Sequence, residues 1–214
     1  MDIVGLLISK KWDEIEGKLN DTNIHFVKNG SNLLWIAING KFGRANMLNT
    51  EFANYDTVNL LLNKGINPNT KSVLMTSLYS SLFHERYDIT HLLLTFGANP
   101  NESSVIKVKN KRMVCDVPLN LAIRKFNVEI VELLIINGAF YNNMTINKVK
   151  RGMKLMKKEK RHSSYHTDYA KLEKIVKILK ENYKDENENI VAEYIKASTK
   201  TGAYDNFFSC FENF

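Results

Sequence analysis

The stretch Val117-Pro118-Leu119-Asn120-Leu121-Ala122, followed by Glu129-Ile130-Val131-Glu132-Leu133-Leu134 and closed by Asn137-Gly138-Ala139, reads as two short helices, the second stopped by glycine. Leucine-rich segments of the same kind end at Leu60-Leu61-Leu62-Asn63-Lys64-Gly65 and at Leu92-Leu93-Leu94-Thr95-Phe96-Gly97. Ahead of each lies an acid with a helical apolar set, Asp56/Val58 and Asp88/Ile89, and before those come Leu33-Leu34-Trp35-Ile36-Ala37 and Ser77-Leu78-Tyr79-Ser80-Ser81. Gly65, Gly97 and Gly138 stand where a helix must end in a left-handed residue, which glycine adopts without a side-chain clash. The same 19-residue interval separates Leu78 from Gly97 and Leu119 from Gly138. A helix pair that is apolar on two sides cannot bury both alone, so such pairs are expected to stack in a row.

This pattern resembles the ankyrin repeat, with residues 117–142 the best match and residues 30–142 covered by the resemblance. The fold class it implies is all-α: an ankyrin-repeat solenoid of about four to five helix pairs, with an inserted β-hairpin and a helical C-terminal cap. Residues 1–143 would hold the repeats. A degenerate first repeat at 1–29 has Ile3 to Ile8 as its inner stretch and Asp13-Glu14-Ile15 in the second helix, and further repeats fall at about 30–69, 72–101 and 113–142. Residues 144–214 would form a degenerate fifth repeat, capping helices and an aromatic tail.

The copies depart from one another in two places. Leu34 to Gly65 spans 31 residues, 12 more than in the other copies, and the excess is expected near Gly40 to Thr50. Between Asn101 and Pro118, apolar and basic residues alternate on both sides of Lys109-Asn110-Lys111, the pattern of a hairpin. Insertions between repeats often line the binding face.

The chain has 214 residues, 30 Lys+Arg against 23 Asp+Glu, and 44% hydrophobic residues, so it has enough apolar content to fold. No run is long and apolar enough to span a bilayer, and Met1-Asp2-Ile3-Val4 has no basic region ahead of an apolar core, so no secretory signal is expected. Two cysteines, Cys115 and Cys210, exclude a disulfide framework and a thiolate zinc cluster built from this chain alone. A cytoplasmic setting, or delivery into a host cytosol or nucleus for a microbial effector, is the expectation.

The formal charge of +7 is local: residues 148–161 hold eight basic side chains and one acid, and the rest of the chain balances. Ile146, Val149, Met153 and Met156 recur there at spacings of three and four, an apolar stripe on a helix whose other faces are basic. Leu172, Ile175, Val176 and Leu179 mark a second helix, and the polar stretch Lys157 to Asp168 is expected to be the loop between them. A last helix is expected at about Glu186 to Ser198. Tyr204, Phe207, Phe208, Phe211 and Phe214 are expected either to dock on these helices or to engage a partner or a second copy.

No catalytic residue, metal ligand or cofactor motif is read. His162 and His166 have no acid or thiol partner, His84 and His91 are expected at the surface, and Ser80, Ser81 and Cys115 have no base at a motif spacing. The resemblance implies instead a partner-binding surface at the variable positions: Lys28, Asn29, Ser31 and Asn39; Ser72, Val73, Met75, Phe83 and His84; Asp116, Arg124 and Lys125. The hairpin residues Lys109, Lys111 and Arg112 and the helix residues Lys150, Arg151, Lys154 and Lys157 extend it. This largely basic surface is expected to bind an acidic protein without catalysis, as an inhibitor or immunity-type protein or as a microbial or viral adaptor. The alternative is association of residues 148–161 with nucleic acid or an anionic membrane.

Overall fold

A computed structural model describes residues 2–9, 11–20, 23–25, 27–28, 31–39, 54–70, 75–107, 113–159, 165–185, 188–190 and 193. The described residues are mostly helical, and they divide into two compact units, Met1–Ser104 and Val105–Phe214. The expected insertion at 40–50, the hairpin tip at 109–112 and the aromatic tail lie outside the described residues.

The first unit opens with α1 (Ile3–Ile8) and α2 (Trp12–Ile15), α2 running on into a 3-10 turn at Glu16–Lys18. A two-residue antiparallel pair follows, β1 (Val27–Lys28) with β2 (Ser31–Asn32), in register Val27 to Asn32. Next come α3 (Leu33–Asn39), α4 (Tyr55–Asn63), α5 (Ser77–Phe83) and α6 (Tyr87–Thr95). Helix α3 is buried along its whole length, because it packs on α1, α4 and α5 together. Within each pair α3 lies on α4 and α5 on α6; between pairs α3 lies on α5 and α4 on α6. Leu34, Ile36, Val58, Leu61, Leu78, Leu82, Ile89 and Leu93 form the shared core. Removing each of these side chains from water contributes about 1.5–3 kcal/mol.

β3 (Ser104–Lys107), which starts on the last residue of the first unit, pairs with β4 (Met113–Asp116), and the second unit continues with α7 (Pro118–Arg124), α8 (Val128–Ile136), α9 (Asn143–Glu159) and α10 (Tyr165–Glu181). Helix α7 packs on α8, α10 packs on α8, and α9 on α10. Ile130, Val131, Leu134, Ile146, Val149, Leu172, Ile175 and Leu179 are buried there. The loop expected at Lys157 to Asp168 is shorter than its polarity suggests: α9 runs to Glu159 and α10 starts at Tyr165. Polar residues are compatible with a helix whose outer face meets water, so polarity alone did not mark the loop. Helices α9 and α10 have 17 residues each, against 7 and 9 in α7 and α8.

The local closures repeat with little variation. After α4, α6 and α8 the glycine N–H bonds the carbonyl three back and the next N–H bonds the carbonyl five back: Gly65 to Leu62 and Ile66 to Leu61, Gly97 to Leu94 and Ala98 to Leu93, Gly138 to Ile135 and Ala139 to Leu134. This pair of hydrogen bonds to the last carbonyls requires a positive φ, which is +81° at Gly97 and +83° at Gly138. Several helix starts are closed by short polar side chains, though those of α2, α6 and α7 are not. Asn32, Asn54, Thr76, Asn127 and Asn142 each accept from the backbone N–H three residues on. Neighbouring turns in the first unit are also tied: Asn69 donates to the Gly97 carbonyl at 2.9 Å and accepts from the Asn99 N–H at 2.7 Å.

Two glycines separate backbone strain from steric fit, because an added Cβ meets no atom within 4 Å at Gly97 or at Gly152. Gly97→Ala is expected to destabilise the chain by about 1 kcal/mol, since alanine resists the left-handed conformation. Gly152→Ala, inside α9, is expected to stabilise it by about 1 kcal/mol through helix propensity. Urea unfolding of the two variants checks the opposite signs, and equal signs would contradict the assignment of Gly97 as a helix stop.

Candidate partner-binding surface

Each expected surface residue takes its place from the element that carries it. Met75, before α5, and Phe83, its last residue, are half-buried, with the Phe83 ring edge-on to His84 at 5.6 Å between centroids. Lys125, after α7, is half-buried. Asn29, Ser72, Val73, Lys109, Lys111 and Arg112 lie outside the described residues, as do the side chains of Lys28 and Ser31.

Three expected surface residues are buried. Asn39, at the end of α3, donates to the Trp35 carbonyl at 2.9 Å and accepts from Ser80 Oγ at 2.7 Å. His84 Nε2 lies 3.1 Å from the same Asn39 oxygen, and because that oxygen only accepts, Nε2 carries the proton. Asn39, Ser80 and His84 are all buried and join α3 to α5. His84, expected at the surface, is therefore an internal link, placed inward by the turn of α5 that also buries Ser80. A buried polar group left without a bond costs about 1–3 kcal/mol, which is why these three are found together.

Asp116 is the third correction. Its side chain is 0% exposed, and it pairs with Arg124 of α7, whose side chain is 20% exposed. A lone buried carboxylate would be costly, so Arg124 neutralises it. Two residues expected to face a partner instead face each other. Neither residue type nor spacing in the sequence distinguishes these outcomes, because the partners come together only when β4 returns to α7.

The basic cluster is where expectation and exposure meet. On α9, Ile146, Val149 and Met153 point inward, and Arg151, Lys154 and Lys157 are exposed, with Lys150 half-buried on the shoulder. No Asp or Glu occurs in α9 before Glu159. Positive charge towards the C-terminal end of a helix is favoured by its dipole. The sequence did not identify the apolar members of this outer face, Met144 and Leu155, which are 49% and 38% exposed.

The start of α9 is held by the segment after α10. Glu188 accepts from the Asn143 N–H at 2.9 Å and from the Tyr183 hydroxyl at 2.7 Å, and Asn143 Nδ2 donates to that hydroxyl at 2.9 Å. These bonds, the Asn143 N–H first, hold the Glu188 carboxyl below its usual range. The carboxylate beside Tyr183 pushes its phenol up to about 12. Burial does the same to Tyr141, also to about 12, whose hydroxyl donates to the Leu179 carbonyl at 3.0 Å.

Among the described residues no group of three His, Cys, Asp or Glu side chains could hold a metal ion, and no helix is long and apolar enough to cross a membrane. An open cavity beside α1, lined by Asp2, Val4, Lys18 and Asn23 among others, has Asp2 already engaged in capping the Gly5 N–H. No family model matches the sequence, and no curated protein does.

Arg124→Ala is expected to destabilise the second unit by about 3 kcal/mol, and Asp116→Val with Arg124→Leu to recover most of the loss, because the pair matters less than the orphaned charge. Urea unfolding of both decides it; a loss under about 1 kcal/mol in the single variant would exclude a structural role. For the clasp, Glu188 contributes stability above the ordinary carboxyl pKa, about 4.3, which is lost as pH falls through its lowered value. Tyr183 contributes below the ordinary phenol value, about 10, and loses it as pH rises through about 12. Ultraviolet difference titration between the native chain and Tyr183→Phe is expected to show a midpoint near 12, moving towards the ordinary value in Glu188→Gln. An unmoved midpoint would exclude the carboxylate as the cause.

Proposed function

We propose that this chain is a non-catalytic binding module of the ankyrin-repeat kind that docks an acidic protein, acting in the cytoplasm as an inhibitor or adaptor. Support for the repeat reading comes from the recurrence of one local design: a short inner helix, a nine-residue outer helix in α4, α6 and α8, and the same glycine closure after each. Within the first unit, inner helices lie on inner helices and outer on outer, as a stack of hairpins requires. The observation that carries the binding reading is α9, where Arg151 and Lys154 are exposed along its length and Lys157 near its C-terminal end, and no acid intervenes before Glu159. Such a face steers an acidic partner and raises the rate of encounter.

A second reading, association of residues 148–161 with nucleic acid or an anionic membrane, draws on the same charge. The two differ in their response to salt. Phosphate contacts release counterions, so binding falls steeply with ionic strength, whereas an anchored protein interface loses mainly association rate.

Affinity capture with the full chain tests the proposal, comparing the native protein with Arg151, Lys154 and Lys157 changed together to Glu, and separately with Lys109, Lys111 and Arg112 changed to Glu. Arg124 is left intact because its reversal would set two acids against each other in a buried place. Recovery of an acidic protein that either reversal reduces at least tenfold is expected. Identical recovery from all three proteins would overturn the reading, and capture of nucleic acid alone would replace it with the second.

A further inference from the structure

Resting on the acidic-protein reading, the geometry points to a docking seam on α9: its outward stripe takes a helix of the partner that carries acidic residues between two apolar ones. Met144, Arg151 and Leu155 are seven and then four residues apart, the spacing of a seam along which one helix lies against another. All three are exposed, and Lys154 stands beside them. They are on the side of α9 opposite Ile146, Val149 and Met153, which are buried. The helix thus has two stripes, one inside the fold and one outward; on the outward one Met144, Arg151 and Leu155 are exposed, and Lys148 between them is half-buried with its Nζ covered. From Met144 to Leu155 the rise is about 16 Å at 1.5 Å per residue, a length that three turns of a partner helix would cover.

Charge complementarity selects the occupant. The centre of the stripe is cationic, and no carboxylate of α9 offsets it before Glu159. Glu188 is bonded to the Asn143 N–H at the start of α9, and Arg151 and Lys154 stand two or more turns further along the helix. A fitting helix has acids over that centre and an apolar side chain over Met144 and over Leu155. A phosphate backbone would gain nothing from the two apolar ends, and no aromatic side chain stands on this stripe to stack a base. A bilayer surface needs a broad apolar face to enter the interface, and the broad face of α9 is already buried in protein. Apolar anchors at each end with charge between them match the division of a protein interface into anchoring and steering residues.

The test uses a labelled synthetic helical peptide with Leu eleven residues apart and Glu at the fourth and seventh positions after the first Leu, titrated with the full chain by fluorescence anisotropy. That arrangement reads the same in either direction, so the outcome does not depend on helix orientation. Binding is expected, with at least a tenfold loss for Leu155→Asp, for Leu155→Ser and for the double variant Arg151→Glu with Lys154→Glu. All are surface changes whose folding is checked by circular dichroism. A peptide of equal composition with the Leu residues moved off the stripe is expected to bind at least tenfold more weakly. Equal binding of the rearranged peptide, or indifference to both Leu155 variants, would overturn the seam and leave only charge attraction. Loss of peptide binding on reversal of Lys109, Lys111 and Arg112 but not of Arg151 and Lys154 would also overturn it, while the acidic-protein reading would stand. Displacement of the peptide by a duplex oligonucleotide or by phosphatidylserine vesicles, with binding insensitive to Leu155, would assign the face to phosphate groups instead.

Discussion

A seven-residue helix is too short to persist alone in water, because nucleation costs more than so few hydrogen bonds return. Helices α3, α5 and α7 have seven residues each, so each exists only with neighbours covering it. In α3 this is complete, with every residue from Leu33 to Asn39 buried. Polar side chains on such a helix must find partners inside, which explains the bond from Ser80 to Asn39 and the approach of His84 to the same oxygen. Stacking therefore governs both the apolar core and the fate of the polar residues within it.

Asparagine has a second role in this economy of short elements. A nine-residue helix leaves a large share of its backbone groups unpaired at its ends, and caps supply the missing bonds. Asn54 and Asn127 close the starts of α4 and α8, and glycine closes their ends. The helix between Arg86 and Phe96 has no side-chain cap at its start; there Arg86 forms an ion pair with Asp88, at 2.6 Å, on the exposed first turn. An exposed pair of this kind contributes little, under about 1 kcal/mol.

Much of the helical layout was legible because it rests on strong local rules. Glycine at a left-handed position and leucines at helical spacing fix the ends and inner faces of α4, α6 and α8, and Ile3 to Ile8 coincides with α1. Burial of Asn39, His84 and Asp116 was not legible, since each depends on a partner from another element and a polar residue carries no mark of being inside. The extent of α9 and α10 was likewise hidden, because lysines and glutamates on an outward helix face look the same as those in a loop. The exposure of Arg151 and Lys154 followed from charge density, whereas the apolar reading of this helix stopped at Ile146, Val149, Met153 and Met156 and did not take in the exposed Met144 and Leu155.

The side chain of Asn69 spans from its own turn to the backbone of the next, at Gly97 and Asn99. Such a tie tolerates no slack: one residue more in either turn would carry the amide past its two targets. The chain's extra length falls elsewhere, between Asn39 and Asn54 and between Asn101 and Val117, while Gly65 to Asn69 and Gly97 to Asn101 keep equal length. Growth in this architecture is thereby channelled to sites that no neighbouring turn has to measure.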